Sequence, residues 1–461
     1  MMATTDNALL DSADSGVDIQ SLAEKEPATE SKLKMVLSLL TKFIGVKDMA
    51  AMQVSMAFLG DLCFQLILVS FDSRLSLPTQ LLEPIPNLEY WNYNDRPDYL
   101  ACINEPDDSV ERFLAAIRWW FSKDLKFVKG NVVKAYNSIL GEQFHCSWAV
   151  NYPSFSPTGN PVYQDHSLNS GQEPPSDSKR AVIHCLIEQT SHHPPVSNFC
   201  YWCEDNSVLA YGVDQISARF TGTAVKISAG EQNKGIYVRL PKRDDEEYHM
   251  THPVASIHGW MKGSLYITVS EACVVTCPKT GLKAVLEYKE ERWFNKPKFQ
   301  VEGVVFRYDP TNESDLAINR IKQIPKSQQI ICRLKGSWRG EIWVEFEEKE
   351  KRLLIDMEAL QVVPKTVRPI SELGPWESRR VWKDVTNNIL AKDFSKATKA
   401  KIEIEERQRA RAAARKEQGV EHVPYFFHLP VRDGRPELTP AGKEVLFGKN
   451  VEILKNWETA P

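Results

Sequence analysis

Between residues 195 and 346 the sequence carries strand patterns and no helical spacing, and this narrows the fold more than any other feature. Val225, Ile227 and Ala229 alternate with Lys226 and Ser228; Leu265, Ile267 and Val269 with Tyr266, Thr268 and Ser270; Ala284, Leu286 and Tyr288 with Lys283, Glu287 and Lys289. Gly, Asn, Asp and Pro separate the runs. Strands that follow one another through turns, with no crossover helix, pair antiparallel. A sheet of so many strands avoids free edges by closing on itself. The expectation is an α+β chain, mainly β: a large closed antiparallel β-barrel over residues 131–346, with helices at 76–130 and 364–430. A barrel of that size needs a filled interior or a ligand cavity. Hydrophobic residues make up 42% of the 461, enough for a substantial core.

The helical ends read clearly. Asp108–Phe121 is amphipathic, with Val110, Phe113, Leu114, Ile117 and Phe121 on one face and a capping box from Asp108 and Glu111. A longer helix is predicted over Phe394–Gln418, with Gly419 as its stop. On it Lys401, Glu405 and Arg409 recur every fourth residue and share a face.

The octapeptide Glu188-Gln189-Thr190-Ser191-His192-His193-Pro194-Pro195 follows the apolar run Ala181–Ile187, which reads as a buried strand. Proline disfavours helix in the residue before it, so the segment is expected to be a stiff turn just past the strand end, presenting two imidazoles. Imidazoles donate hydrogen bonds and carry charge when protonated, which suits a phosphate.

This octapeptide resembles the E-Q-V-S-H-H-P-P signature of the oxysterol-binding-protein-related lipid-transfer family, with Thr190 in place of valine. Lys134-Ala-Tyr-Asn137-Ser-Ile-Leu-Gly-Glu142 resembles that family's K-P-x-N-P-x-L-G-E motif, although Ala135 and Ser138 replace its prolines. Phe144–Trp148 (F-H-C-S-W) marks the branch that the chain is most like. Pro375–Trp382 resembles the P-x-E-S-R-x-x-W box, and Lys401–Arg409 the segment that completes the phosphoinositide site. The resemblance implies a short member made mainly of the lipid-binding domain. It also implies a headgroup site of Lys134, Asn137, His192, His193, Lys401, Glu405 and Arg409 for phosphatidylinositol 4-phosphate. Sterol or phosphatidylserine would compete for the same tunnel. The implied activity is non-enzymatic exchange of lipids between membranes; a lipid-responsive regulator without net transport is the alternative. No cofactor other than the lipid ligands is expected.

The flanks carry less information. Residues 1–30 are acidic and Ser/Ala/Asp-rich and read as a disordered tail with no signal peptide. Residues 31–53 form an amphipathic lid region, with Leu33, Val36, Leu37, Leu40, Phe43 and Ile44 on the apolar face and lysines around it. By resemblance this helix closes the tunnel and touches a membrane surface. Residues 54–75 are strongly apolar, interrupted by Asp61, and split a junction that is short in the family. Three explanations stay open: an intron retained in the gene model (Val54-Ser55-Met56 is what GTA-AGT-ATG encodes), a membrane-contacting insertion, or a buried strand. Residues 152–179 read as a long loop, and 431–461 as a packed C-terminal extension.

A net charge of −4 argues against nucleic acid as the main partner. Nine cysteines with no regular framework suggest reduced thiols and a cytoplasmic protein. It is expected to be a monomer that visits endoplasmic reticulum, Golgi or plasma membrane surfaces transiently. Cys200/Cys203 with Cys273/Cys277 is too loosely spaced for zinc, and no metal site is expected. A hydrolase using the His pair with Glu142 or Ser191 lacks a nucleophile elbow or P-loop, so no catalytic residue is assigned.

Overall fold

The computed structural model describes residue 79 and residues 82–130, 133–163, 179–221, 224–258, 266–290 and 298–456. The acidic tail, the lid residues Leu33, Val36, Leu37, Leu40, Phe43 and Ile44, and the 54–75 insertion lie outside the described residues.

Seventeen strands follow in chain order: β1 (Gln143–Asn151), β2 (Ser154–Phe155), β3 (Pro161–Val162), β4 (Arg180–His192), β5 (Pro195–Cys203), β6 (Val208–Asp214), β7 (Ile216–Phe220), β8 (Val225–Ala229) and β9 (Ile236–Leu240). They continue as β10 (Glu246–Met250), β11 (Val254–His258), β12 (Tyr266–Cys277), β13 (Leu282–Tyr288), β14 (Gln300–Arg307), β15 (Ile330–Ser337), β16 (Glu341–Phe346) and β17 (Lys351–Asp356). Fifteen of them make one antiparallel sheet, ordered β1-β4-β5-β6-β9-β10-β12-β13-β14-β15-β16-β17, with β11, β8 and β7 branching from β12.

Among the described residues the ladder does not join β17 back to β1. Chain from outside the ladder covers part of each of these two edges instead. Thr366 exchanges both backbone hydrogen bonds with Ser147 of β1, at 2.7 and 2.9 Å. The β2–β3 hairpin region covers β17: Leu353 N–H donates to Asn160 Oδ1 at 2.6 Å, and Asp356 N–H to the Tyr163 hydroxyl. Covered edges resist pairing with other chains.

The Ser109–Ser122 helix shows how the sheet curls. Its apolar face, with Phe113, Leu114, Ile117 and Trp119, is completely buried in the main core. Arg112 forms a two-pronged ion pair with Glu246 of β10, at 2.8 and 2.9 Å. Arg118 donates to the Leu354 carbonyl of β17, and Arg352 of β17 pairs with Glu111. One helix thus touches a middle strand and the last strand, so the sheet must bend around it.

Several local expectations need correction. Asp108 caps the helix by accepting from Val110 and Glu111 N–H, but Glu111 reaches Arg352 rather than completing a box. A short helix, Glu313–Ala317, interrupts the strands where none was expected, and β17 extends them past Phe346. The first strand begins at Gln143, not 131. Lys283, which alternation placed outside, is 2% exposed. Its ammonium donates to the Asp315 and Leu316 carbonyls at 2.8 and 3.0 Å, closing the end of that short helix.

Candidate functional site

Glu188 through His192 belong to β4 rather than to a turn beyond it; His193 and Pro194 alone make the connection to β5. The pairing has a defect. Gln189 faces Ser197, Ser191 faces Val196 and His192 faces Pro195, so Thr190 is an extra, bulged residue. A bulge shifts the alternation of side chains along a strand. Here it puts His192 into the same pocket as Gln189.

Three cavities adjoin one another. The innermost, about 180 Å³, is apolar and lined by Trp91, Trp120, Ile216, Ile227, Val269 and Trp338, among others. The next, about 80 Å³, shares Trp91 and Ile216 with it and adds Lys134, Asn137, Ser138 and His192. The outermost cleft, about 480 Å³, shares Asn137 and His192 with the second and adds His193, Glu405 and Arg409.

The cations are held by neighbouring groups. Lys134 donates to Asn137 Oδ1 at 2.6 Å. Burial first, and then the Lys401 ammonium, push its pKa down to about 8. Lys401 is buried and pairs with Glu405 at 2.9 Å; Glu405 also reaches Arg409 at 3.7 Å, whose side chain is 72% exposed. The rings of His192 and His193 meet edge to face at 4.6 Å. Burial and then His193 hold His192 below the usual histidine range, and among the described residues its buried Nδ1 has no hydrogen-bond partner. A compact set of cations in a low-dielectric site, short of anions, is built to receive one.

The signature carboxylates do something else. Glu142 is fully buried and accepts from Ile139 N–H, Ser378 Oγ and Trp382 Nε1 at 3.0, 2.6 and 3.0 Å. Glu188 accepts from the Tyr425 and Phe426 N–H groups at 2.7 and 2.8 Å. Glu377 binds Arg368 and the Gly374 N–H. Glu142 and Glu188 each tie a distant C-terminal segment to the sheet, whereas Glu377 braces its own segment. Glu142, offered above as a hydrolytic partner of the histidines, is committed to that framework.

A family model described as Oxysterol-binding protein matches residues 72–389. The chain belongs to the oxysterol-binding protein family. It is 40% identical to the Oxysterol-binding protein-like protein 1 of Schizosaccharomyces pombe, over 90% of this chain and 91% of that protein. It is 28% identical to the human Oxysterol-binding protein-related protein 9, over 77% of this chain and 44% of that longer protein. Among solved structures it resembles the Osh1 ORD domain in complex with ergosterol (TM-score 0.62, 15% identity, 94% of this chain and 100% of that one). The Osh3 ORD in complex with PI(4)P from Saccharomyces cerevisiae is also similar (TM-score 0.55, 16% identity, 91% and 95%).

In this family member the seven residues implied by the motifs do gather. Lys134, Asn137 and His192 share one pocket; Asn137, His192, His193, Glu405 and Arg409 share the next; Lys401 bridges through Glu405. Ser138, Gln189 and Asp214 also line the Lys134 pocket and were not expected. So do Gln408, Arg415 and His422 in the cleft. Arg415 could have been found by continuing the 401–405–409 face for two more turns. His422 follows the helix end and carries no such signal. The cysteine pairs do not converge: Cys203, Cys273 and Cys277 lie in the main core, and Cys200 packs with the C-terminal cluster. Among the described residues no cluster of metal ligands forms, and no helix is long and apolar enough to cross a membrane.

Buried titratable groups set a pH window. Burial raises Glu142 and Glu188 to about 7, and the folded state then holds protons between pH 4.5 and 7 that the unfolded chain has lost. That contribution grows as pH falls. Burial lowers His145 and His252 to about 3, so between pH 6.5 and 3 the unfolded chain binds protons that the folded one refuses. That contribution shrinks as pH falls. Asp214, raised by burial to about 6, adds to the carboxylate side, and His422, lowered by burial to about 4, to the histidine side. The two sides offset each other from pH 5 to 7, and the histidine loss dominates below about 4.5. Thermal scans should show a plateau from pH 5 to 7 and a steep drop below it. A decline that began already at pH 6.5 would contradict this assignment.

Proposed function

We propose that this chain binds phosphatidylinositol 4-phosphate by its headgroup and exchanges it between membranes for a second lipid, sterol or phosphatidylserine, without altering either chemically. The observation that carries the reading is the adjacency of an apolar cavity and a cation-rich mouth. Solved relatives in complex with ergosterol and with PI(4)P support it. On this reading the curled sheet acts as a barrel around the lipid, and the chain works as a cytoplasmic monomer that meets membranes transiently. Covering roughly 400 Å² of apolar lipid surface stabilises the complex by about 10 kcal/mol in gross terms, comparable to leaving a bilayer. Loading and release are then nearly balanced, and a phosphoinositide gradient gives direction.

Transfer between two liposome populations tests this. The wild type should move phosphatidylinositol 4-phosphate from donor to acceptor and carry sterol or phosphatidylserine back, with mass spectrometry showing both lipids unchanged. Failure to extract the phosphoinositide sinks the reading; tight binding with slow transfer marks a regulator instead. A pH series adds a check. A phosphate beside Lys134 favours the ammonium, whose pKa is about 8 in the empty protein. Affinity should therefore hold below pH 8 and fall above it, by up to about tenfold per unit.

A further inference from the structure

The outer cleft is larger and more cationic than a single ring phosphate requires. Beyond His193 and Arg409 it continues between Ala412, Arg415 and His422. Gln408, Ala412 and Arg415 are spaced by four and three residues, so they line one face of the Phe394–Gln418 helix. Ala412 keeps the gap between the two arginines open. Arg415 is half-buried, and among the described residues no hydrogen bond or ion pair engages its guanidinium. His422 is half-buried with its Nε2 shielded from solvent, and among the described residues that nitrogen has no hydrogen-bond partner. It lies in a segment tied back to the helix by the hydrogen bond from Val420 N–H to the Arg415 carbonyl. Among the described residues Glu405 is the one carboxylate lining the cleft, and Lys401 and Arg409 already share it.

We propose that Arg415 and His422 form a second anion subsite, which receives a further phosphate group on an inositol ring seated against His192 and His193. The preferred ligand is then an inositol headgroup with two ring phosphates rather than one. The subsite rests on the headgroup reading above. Arg415 supplies a planar fork for two phosphate oxygens, and His422 a single donor. Burial and the Arg415 charge keep the empty His422 neutral, with a pKa near 4. An arriving phosphate reverses that preference, so binding takes up a proton.

The test compares liposomes carrying phosphatidylinositol 4-phosphate with liposomes carrying phosphatidylinositol 4,5-bisphosphate or 3,4-bisphosphate. It uses the full chain and the Arg415→Ala, His422→Ala and Arg415→Lys variants. The wild type should bind at least one bisphosphate about tenfold more tightly than the monophosphate. Each alanine variant should erase that preference and cost the bisphosphate at least tenfold more than the monophosphate, while Arg415→Lys keeps part of it. Soluble inositol 1,4,5-trisphosphate provides a further arm. Competition by it at similar concentration identifies a free inositol phosphate as a source; competition only by liposomes identifies a lipid. Equal losses for mono- and bisphosphate, or no wild-type preference for either bisphosphate, overturn the subsite and leave the headgroup reading standing. Failure to bind any of the three lipids overturns both.

Discussion

His192→Ala/His193→Ala is expected to weaken phosphatidylinositol 4-phosphate binding by about 10²–10⁴-fold and to bring transfer close to background. Two hydrogen bonds to a charged phosphate, each worth about 1.5–3 kcal/mol, are lost together. The surrounding cations then have less to share the phosphate with, since Lys134 and Lys401 already repel each other. The apolar cavity does not include either ring. Sterol binding, if this is the second cargo, should stay within about threefold of wild type. That split separates a damaged headgroup site from a damaged fold. Measured by liposome flotation and by sterol fluorescence, equal losses on both ligands would refute the assignment of the histidines. Lys134→Ala should follow the same split and also abolish the loss of affinity above pH 8.

Glu188→Ala should destabilise the protein by about 3–5 kcal/mol, although Glu188 lines none of the three cavities described above. The carboxylate accepts two backbone N–H groups, from Tyr425 and Phe426. Removing it leaves both donors unsatisfied, at about 1–3 kcal/mol each, and opens a small cavity. Phe426 and Phe427 are 0% and 1% exposed and pack with Leu186, Cys200 and Tyr211. Loosening their backbone frees the whole C-terminal cluster. Denaturant melts should show the loss, and limited proteolysis should cut first near residues 420–430. An unchanged midpoint would show that the clamp is dispensable.

The two predictions concern neighbouring parts of one motif, and the sequence alone did not separate their roles. Phe394–Gln418 was legible to the residue, because Asp393 caps its start and Gly419 takes the left-handed conformation at its end, φ 66°. The gathering of Lys134, His192, Lys401 and Arg409 was legible only through motifs that preserve it. Glu142, Glu188 and Lys283 were not legible as framework residues. Glu142 and Glu188 meet partners more than 230 positions away, and Lys283 one 32 positions away, so no local pattern announces them. The apolar cavity draws single residues from many strands and helices, which leaves no contiguous signature.

The bulge at Thr190 makes the site a matter of parity. Glu188 faces the C-terminal cluster and Gln189 the pocket, as successive residues of a strand must. In a regular strand of the same length, alternating strictly from Glu188, His192 would land on the side of Glu188. The bulge takes up one residue without a partner and so returns His192 to the side of Gln189. Deleting Thr190 alone would remove the bulge and leave His192 facing the pocket, whereas one further residue paired between Gln189 and His192 would turn it away from the phosphate. The number of paired positions between Gln189 and His192, rather than the bare number of residues, is what this segment must hold constant.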